Sequence, residues 1–298
     1  MDEHKQKNAD RQIKSVTNLG IATNTALFII KLIVGFLSGS IALIADGIHS
    51  LSDMTTDVAV LIGVHLGSKQ PDRSHPYGHG RAETFSAGFI AVVLFFVGSV
   101  MIYYAAVDIT KGNVTIPHTA VLMVATFSII AKELLYRATK RVAIRSYSSA
   151  LYANAWHHRS DALSSVAVLI GFISLKFGFD YGDQIAAVAV GLMVILVAVH
   201  VINDCLRELT EGAVDSGTIE HIENIINANS SIRRWHKLRS RTVGREVFLD
   251  LHILVGPDLT IAAAHAIAES LESTLHEQIS RPVNITVHIE PDIPALRK

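Results

Sequence analysis

An apolar run at residues 41–57, IALIADGIHSLSDMTTD, carries four ionisable side chains in a stretch otherwise suited to lipid. They are Asp46, His49, Asp53 and Asp57. At 100° per residue a helix would gather all four within an arc of about 80°, so one polar stripe would follow an apolar helix. Ionisable groups inside a membrane are costly and usually mark an ion path. The alternative is a stripe that only fastens neighbouring helices together, as a single such residue usually does.

The rest of the chain supports a membrane setting for this helix. Of its 298 residues, 50% are hydrophobic, and the mean hydropathy of +0.36 is too high for an ordinary soluble protein. Apolar runs near the ~20 residues that cross a bilayer occur at 15–37, 40–67, 84–108, 116–137, 149–175 and 182–205. These runs predict an all-α bundle of six transmembrane helices.

Charge sets the predicted orientation. Basic residues cluster at residues 5–14, 69–81 and 137–145, whereas the alternate connections carry few. By the positive-inside rule both termini lie in the cytoplasm, which places a multi-pass protein in the cytoplasmic (inner) membrane. We therefore expect a cytoplasmic N-terminal segment at 1–14 and a transmembrane domain at 15–211. The net charge of −1 gives no reason to expect nucleic acid as a partner.

Residues 212–298 show the pattern of a small cytoplasmic domain. A helix is predicted at about 217–229 with Ser216 as its cap, followed by strands at 235–243 and 246–255 joined by a turn at Gly244. A second helix at about 260–279 and a strand at 283–290 complete the order αββαβ. This order suggests a ferredoxin-like α+β fold.

The fifth apolar run repeats the chemistry of the second. His157 and Asp161 are four residues apart, as are His49 and Asp53, so each pair lies on one helix face. Two imidazoles and two carboxylates in fourfold coordination fit Zn²⁺. The single cysteine, Cys205, excludes a multi-thiolate site. Because both ligand types must lose protons to bind metal, metal and protons compete, which is the physical basis of a metal/proton exchanger.

The polar side chains near these four predicted ligands are expected to have supporting roles. Asp46 and Asp57 have no matching pair in the fifth run and would support the ligands or line the ion path. Asn154 would support the ligands from one turn away, and His158 points about 100° from His157 and would form an interhelical hydrogen bond. Lys132 is interpreted as structural, near a helix end or snorkelling toward the membrane surface.

A loop after the second run offers a possible second site. Asp72, His75 and His79 stand within eight residues and would leave an open coordination position, as in a labile metal site. The alternative is a turn set by Pro76 and Gly78 whose histidines are only solvated.

The segments DGIHSLSD, HPYGHGRAE and AWHHRSD, together with the six apolar runs and the αββαβ tail, resemble the cation diffusion facilitator family over residues 14–292. The resemblance implies a homodimer that exports divalent metal ions by proton antiport, with His49, Asp53, His157 and Asp161 as the transport site. A His-Asp/His-Asp set is similar to that of family members associated with zinc, and Fe²⁺, Mn²⁺, Co²⁺ and Cd²⁺ remain open. It also implies a metal-binding loop at Asp72, His75 and His79.

In the tail, only His288 and Glu290 can be assigned to one strand face by spacing. The resemblance implies a paired metal site across the dimer interface, held by His236, His252, His265, His288 and Glu290. Zinc is thus expected as substrate and as regulatory ligand, with protons, membrane lipid and a second copy of the chain as partners.

Two rival functions fit the sequence less well. A non-transporting sensor subunit would keep the fold and lose ligands, but all four predicted ligands are present. An intramembrane metalloenzyme would need a motif such as H-E-x-x-H, which the sequence lacks. We therefore expect a transporter and not an enzyme.

Overall fold

The computed structural model describes the backbone of residues 3–38, 41–111, 119–178 and 181–297. Side chains are described for most of these, but not for 3–7, 38, 41–49, 51–52, 119–121, 164, 167–168, 171–172, 175–176, 183 and 186. The chain forms two compact units, His4–Cys205 and a second unit that contains Leu206–Lys298. Each unit is described by itself.

The first unit is helical and contains six long helices. They are α1 Glu3–Ser38, α2 Ile41–Gly67, α3 Arg81–Lys111, α4 Thr119–Ser146, α5 Ser149–Lys176 and α6 Gly182–Leu209, whose last turn extends into the second unit. Each helix contains most of one predicted apolar run, so the predicted fold class is confirmed. Helix α1 already begins within the polar segment at 1–14, and α4 runs nine residues past the predicted end at 137.

Three stretches within the described residues are long and apolar enough to cross a membrane by themselves. They are Asn8–Leu37, Arg81–Lys111 and Ala187–Leu209, in α1, α3 and α6. The most apolar, in α3, exposes large side chains such as Phe85, Phe96 and Tyr103. A helix that is apolar on its outer surface suits contact with lipid.

Helix α5 packs against α2, α3 and α4, which places it inside the bundle. The buried side chains where these helices meet are often small, including Ala87, Ala91, Ala150 and Ala153. Small side chains allow helix backbones to approach closely and are typical of packed membrane helices. The close packing brings the polar positions of α2 and α5 toward each other.

Helices α3 and α6 approach each other closely at Gly98 and Gly191. A Cβ added at Gly98 would lie 2.8 Å from the carbonyl oxygen of Gly191, and one at Gly191 would lie 2.9 Å from that of Gly98. Neither backbone can retreat without separating the helices, so both positions require glycine.

We predict that Gly98→Ala lowers the unfolding midpoint of the purified protein in detergent. The added methyl group overpacks a backbone contact, at a cost of about 1–3 kcal/mol. Gly88→Ala, in the same helix, is the matched control because its Cβ would meet only Cys205 Sγ at 4.0 Å. That substitution should be neutral or stabilising, since alanine favours the helix by about 0.5–1 kcal/mol. Equal midpoints for the two variants would contradict the close approach.

The second unit has the predicted order αββαβ. It contains α7 Ser216–Ala228, β1 Arg234–Val243, β2 Glu246–Val255, α8 Ile261–Gln278 and β3 Val283–Pro291, followed by a short 3-10 turn. The sheet order is β1-β2-β3, with β1 antiparallel and β3 parallel to the central β2. Alternate residues of β2, such as Leu249 and Leu251, pack with α7 and α8 in one core.

Two local features differ from or extend the prediction. The cap of α7 is Asp215 and not Ser216, since the Asp215 carboxylate accepts hydrogen bonds from the Thr218 amide at 2.9 Å and hydroxyl at 2.7 Å. Strand β1 is bulged between His236 and Arg239, and Lys237 has a positive φ of 53°. A bulge bends a strand and redirects its side chains, and here it lies directly beside a histidine of the predicted metal site.

Candidate metal sites

Three of the four predicted transport ligands converge inside the helical unit. Asp53 on α2 and His157 and Asp161 on α5 offer ligand atoms that all lie within 4.8 Å of one another. Their exposed fractions are only 3%, 2% and 9%. Buried carboxylates and an imidazole at this separation can bind one cation, because metal–ligand bonds of about 2 Å place ligand atoms roughly 3 to 4 Å apart.

The imidazole of His157 is free of hydrogen bonds to the described residues and could bind a metal ion. Neither of its ring nitrogens has a hydrogen-bond partner among the described residues, and Nε2 lies 3.6 Å from Asp53 Oδ1. Buried polar atoms are nearly always satisfied, so two unsatisfied nitrogens indicate a place where a metal ion or water binds.

The fourth predicted ligand, His49, and its neighbour Asp46 have described backbones within α2, but their side chains lie outside the described residues. Their predicted roles, as ligand and as part of the ion path, remain predictions.

Lys132 contradicts its sequence interpretation. It is only 2% exposed, and its Nζ donates to Asp53 Oδ2 at 2.9 Å and to Asp161 Oδ2 at 2.7 Å. It therefore bridges the two carboxylates and does not snorkel toward the surface. The interpretation of Lys132 as lying near a helix end was wrong because α4 extends to Ser146, which places Lys132 near the middle of the helix. A lysine in an apolar helix could have been matched to the carboxylates of α2 and α5.

Asp57, one turn from Asp53, lies in a separate buried network. Its Oδ1 accepts a hydrogen bond from Asn154 Nδ2 at 2.7 Å and its Oδ2 accepts one from Asn24 Nδ2 at 3.0 Å. His158 Nε2 lies 3.5 Å from Asp57 Oδ1 and 3.3 Å from Asn154 Nδ2. The network joins α1, α2 and α5, so these groups hold the helices that carry the cluster.

The loop residues also converge, at the protein surface. Asp72, His75 and His79 offer ligand atoms within 4.8 Å of one another, and the two imidazole rings lie 4.3 Å apart. The loop closes with a turn in which the Gly78 amide donates to the His75 carbonyl at 3.0 Å. Gly78 has a φ of +81°, which only glycine adopts readily.

The turn around Asp72 keeps its carboxyl group ionised. Hydrogen bonds from the Ser74 hydroxyl at 2.7 Å and the His75 amide at 2.7 Å lower the pKa of Asp72 to about 2. Both bonds are made to Oδ1, whereas Oδ2 faces His79 Nε2 at 3.5 Å. The loop therefore presents a charged carboxylate oxygen to a cation at any pH at which histidine can bind metal.

In the tail, the fold assembles ligands that sequence spacing could not. His236 on β1 is paired with His252 on β2, which is in turn in register with His288 on β3. Glu290 Oε1 lies 2.8 Å from His252 Nδ1, and Glu290 Oε2 lies 3.2 Å from His236 Nε2. The hydrogen bond with His252 is the main factor that lowers the pKa of Glu290. His236, His252 and Glu290 thus form a third group able to hold a metal ion.

The other two predicted tail ligands are placed differently. His288 is 62% exposed and lies 3.6 Å from Glu290, at the edge of the group. His265, on α8, is 67% exposed and pairs with Glu269 at 3.3 Å. Within one chain the described residues therefore do not bring His265 to the cluster, and its predicted role across a dimer interface remains a prediction.

Comparisons with known proteins identify the family of both parts of the chain. Residues 18–210 match the family described as "Cation efflux transmembrane domain", and residues 214–292 match "Cation efflux protein, cytoplasmic domain". The uncharacterized transporter MJ0449 of Methanocaldococcus jannaschii is 37% identical over 94% of this chain and 99% of its own length.

Two further relatives have names that describe a role. Magnetosome protein MamB of Magnetospira sp. is 31% identical over 88% of this chain and 89% of its own length. Manganese efflux system protein MneP of Bacillus subtilis is 30% identical over 93% and 96%. The family matches cover both units, and the similarity to whole transporters extends over nearly the entire chain. The protein therefore belongs to the cation efflux family, the cation diffusion facilitators, and is a membrane transporter and not an enzyme.

Proposed function

We propose that this protein exports a divalent transition-metal ion, with Zn²⁺ as the first candidate, from the cytoplasm in exchange for protons. The observation that carries the proposal is the buried convergence of Asp53, His157 and Asp161. The predicted fourth ligand is His49, one turn before Asp53 on α2. A metal site built on two neighbouring helices can open to either side when the helices shift.

The donor set supports zinc and leaves a second candidate. Imidazole and carboxylate groups in a compact site suit Zn²⁺. Manganese is the second candidate, because two of the three described donors are carboxylates, which also suit Mn²⁺, and because the relative MneP is named as a manganese efflux protein. Fe²⁺, Co²⁺ and Cd²⁺ accept the same donors and follow zinc and manganese as candidates. The single cysteine gives no soft sulfur site for Cu⁺.

Proton exchange follows from the same ligands. A carboxylate and an imidazole must both be deprotonated to bind metal, so a proton that reaches the site favours metal release. Histidine changes its protonation near neutral pH and is suited to this exchange. A proton gradient directed into the cell would then drive metal outward across the cytoplasmic membrane, with both termini on the cytoplasmic side.

Asp161→Asn should abolish metal transport by the full chain reconstituted in liposomes. The change is nearly isosteric and removes one anionic ligand, so we expect a loss greater than the 10–100-fold typical of residues that only support a ligand. The measurement is zinc uptake under an imposed pH gradient, with a pH-sensitive dye to report counter-moving protons. Asp204→Asn is the control, because Asp204 is 63% exposed and contacts His200, away from the site.

Wild-type transport by the Asp161→Asn protein would refute the assigned site, and metal uptake without proton movement would refute the exchange. Parallel assays with Mn²⁺, Fe²⁺, Co²⁺ and Cd²⁺ decide the substrate. A higher kcat/KM for Mn²⁺ than for Zn²⁺ would replace zinc with manganese in the proposal.

The tail supports a regulatory role in a homodimer. His236 Nε2 and Glu290 Oε2 are buried and lie 3.2 Å apart, but neither atom makes an aligned hydrogen bond to a described residue. A metal ion would satisfy both atoms and lock β1 to β3. We propose that metal binding here, with His265 and His288 of either copy, stabilises the dimer and favours one facing state of the transporter. The loop at Asp72, His75 and His79 would bind metal more weakly at the cytoplasmic mouth.

Glu290→Ala should reduce the rise in unfolding midpoint that zinc gives the purified dimer. Ligand binding to the folded state stabilises it by mass action, and this variant removes the acid that lies within 4 Å of His236, His252 and His288. His276→Ala is the control, because it removes an exposed histidine of α8 outside the group. Midpoints are compared in chelator and in excess zinc. An unchanged zinc effect in Glu290→Ala would show that the tail does not bind the ion.

A further inference from the structure

The transport site already contains a positive charge from the protein itself. The Lys132 ammonium lies 2.9 Å from Asp53 Oδ2 and 2.7 Å from Asp161 Oδ2. All three side chains are less than a tenth exposed. The lysine comes from α4, a third helix that contributes none of the predicted ligands.

The Lys132 ammonium and a metal ion cannot both contact the Oδ2 atoms of Asp53 and Asp161 at the same time. A metal about 2.1 Å from a carboxylate oxygen would take the place of the ammonium at the Oδ2 atoms. The two cations would also repel each other strongly in a buried environment, where solvent screens charge poorly. A lysine with its ammonium on a flexible four-carbon stem can move away while its helix stays in place.

We propose that Lys132 is a tethered counter-ion of the transport site, which offsets one of the two negative charges of Asp53 and Asp161 when no metal is bound and is displaced by the incoming divalent ion. This inference rests on the proposed transport function of that cluster. It adds a role for α4, since the helix supplies the cation that takes over the carboxylates as metal leaves.

The counter-ion has two consequences for transport. It weakens metal binding, because part of the binding energy displaces the lysine, and it speeds release, because the carboxylates regain a partner. It also selects for charge. A monovalent ion such as Na⁺ or K⁺ carries no more charge than the ammonium of Lys132. Because the ammonium is held beside the site at a high effective concentration, only a divalent ion displaces it well.

Lys132→Met tests the proposal, because methionine keeps an unbranched side chain and removes the charge. In reconstituted full-length protein we expect the KM for zinc to fall about tenfold. This is the change expected if the lysine leaves the carboxylates available in about a tenth of the wild-type molecules and in all molecules of the variant. Turnover at saturating zinc should slow, since release becomes harder. In detergent, the metal-free protein should unfold at a lower temperature and gain a larger zinc-dependent rise than the wild type.

Two further variants make the test specific. Lys140→Met is the matched control: it lies on the same helix and contacts Tyr136 at 3.0 Å, outside the site, so its KM and zinc-dependent rise should match the wild type. Lys132→Arg keeps the charge and can grip both carboxylates through a planar fork, so its KM should rise. If Lys132→Met does not fold, Lys132→Arg decides alone, and an unchanged or lower KM refutes the counter-ion.

A raised KM or a smaller zinc-dependent rise in Lys132→Met would show that the lysine only positions the ligands. That result is distinct from failure of the transport site itself. If Asp161→Asn is inactive while Lys132→Met has a raised KM, the site stands and only the counter-ion proposal fails.

Discussion

The helical unit depends on the neutralisation of buried charge. Asp53 and Asp161 lie in an interior where an isolated carboxylate would be very unfavourable, and the ammonium of Lys132 contacts both and offsets one of their two negative charges. The bridge joins α2, α4 and α5 at one point. The hydrogen bonds of Asp57 to Asn24 and Asn154 add α1 to the same assembly. The proposed ion site is thus also the point at which three helices meet, and the Asp57 network one turn away joins the fourth.

Periodicity predicted that Asp53, His157 and Asp161 lie together, but it did not predict that Lys132 lies between the two carboxylates. The repeated His-x-x-x-Asp spacing placed His157 and Asp161 on one helix face, and its occurrence in two apolar runs indicated that α2 and α5 face each other. Lys132 was misinterpreted for two reasons. The end of the fourth run was set too early, so a central residue looked terminal, and no spacing within one helix reports which neighbour its side chain reaches.

The tail shows the same division between local and long-range information. Alternating apolar residues predicted β2 and β3 within a residue of their ends, because a buried sheet face imposes a period of two. The group of His236, His252 and Glu290, proposed to bind metal, depends instead on strand register and on the bulge that follows His236. Those features arise from pairing between distant segments, so only the folded sheet brings His236, His252 and Glu290 together.

The two oxygens of Asp72 have separate tasks. Oδ1 is fixed by the hydroxyl and backbone of its own turn, while Oδ2 is directed toward His79. The three side chains are therefore already close together without an ion, so binding of a cation at the proposed loop site would require little loss of conformational freedom. Solvent access at this exposed position would let a bound ion leave again, as the proposed role of the loop at the cytoplasmic mouth requires.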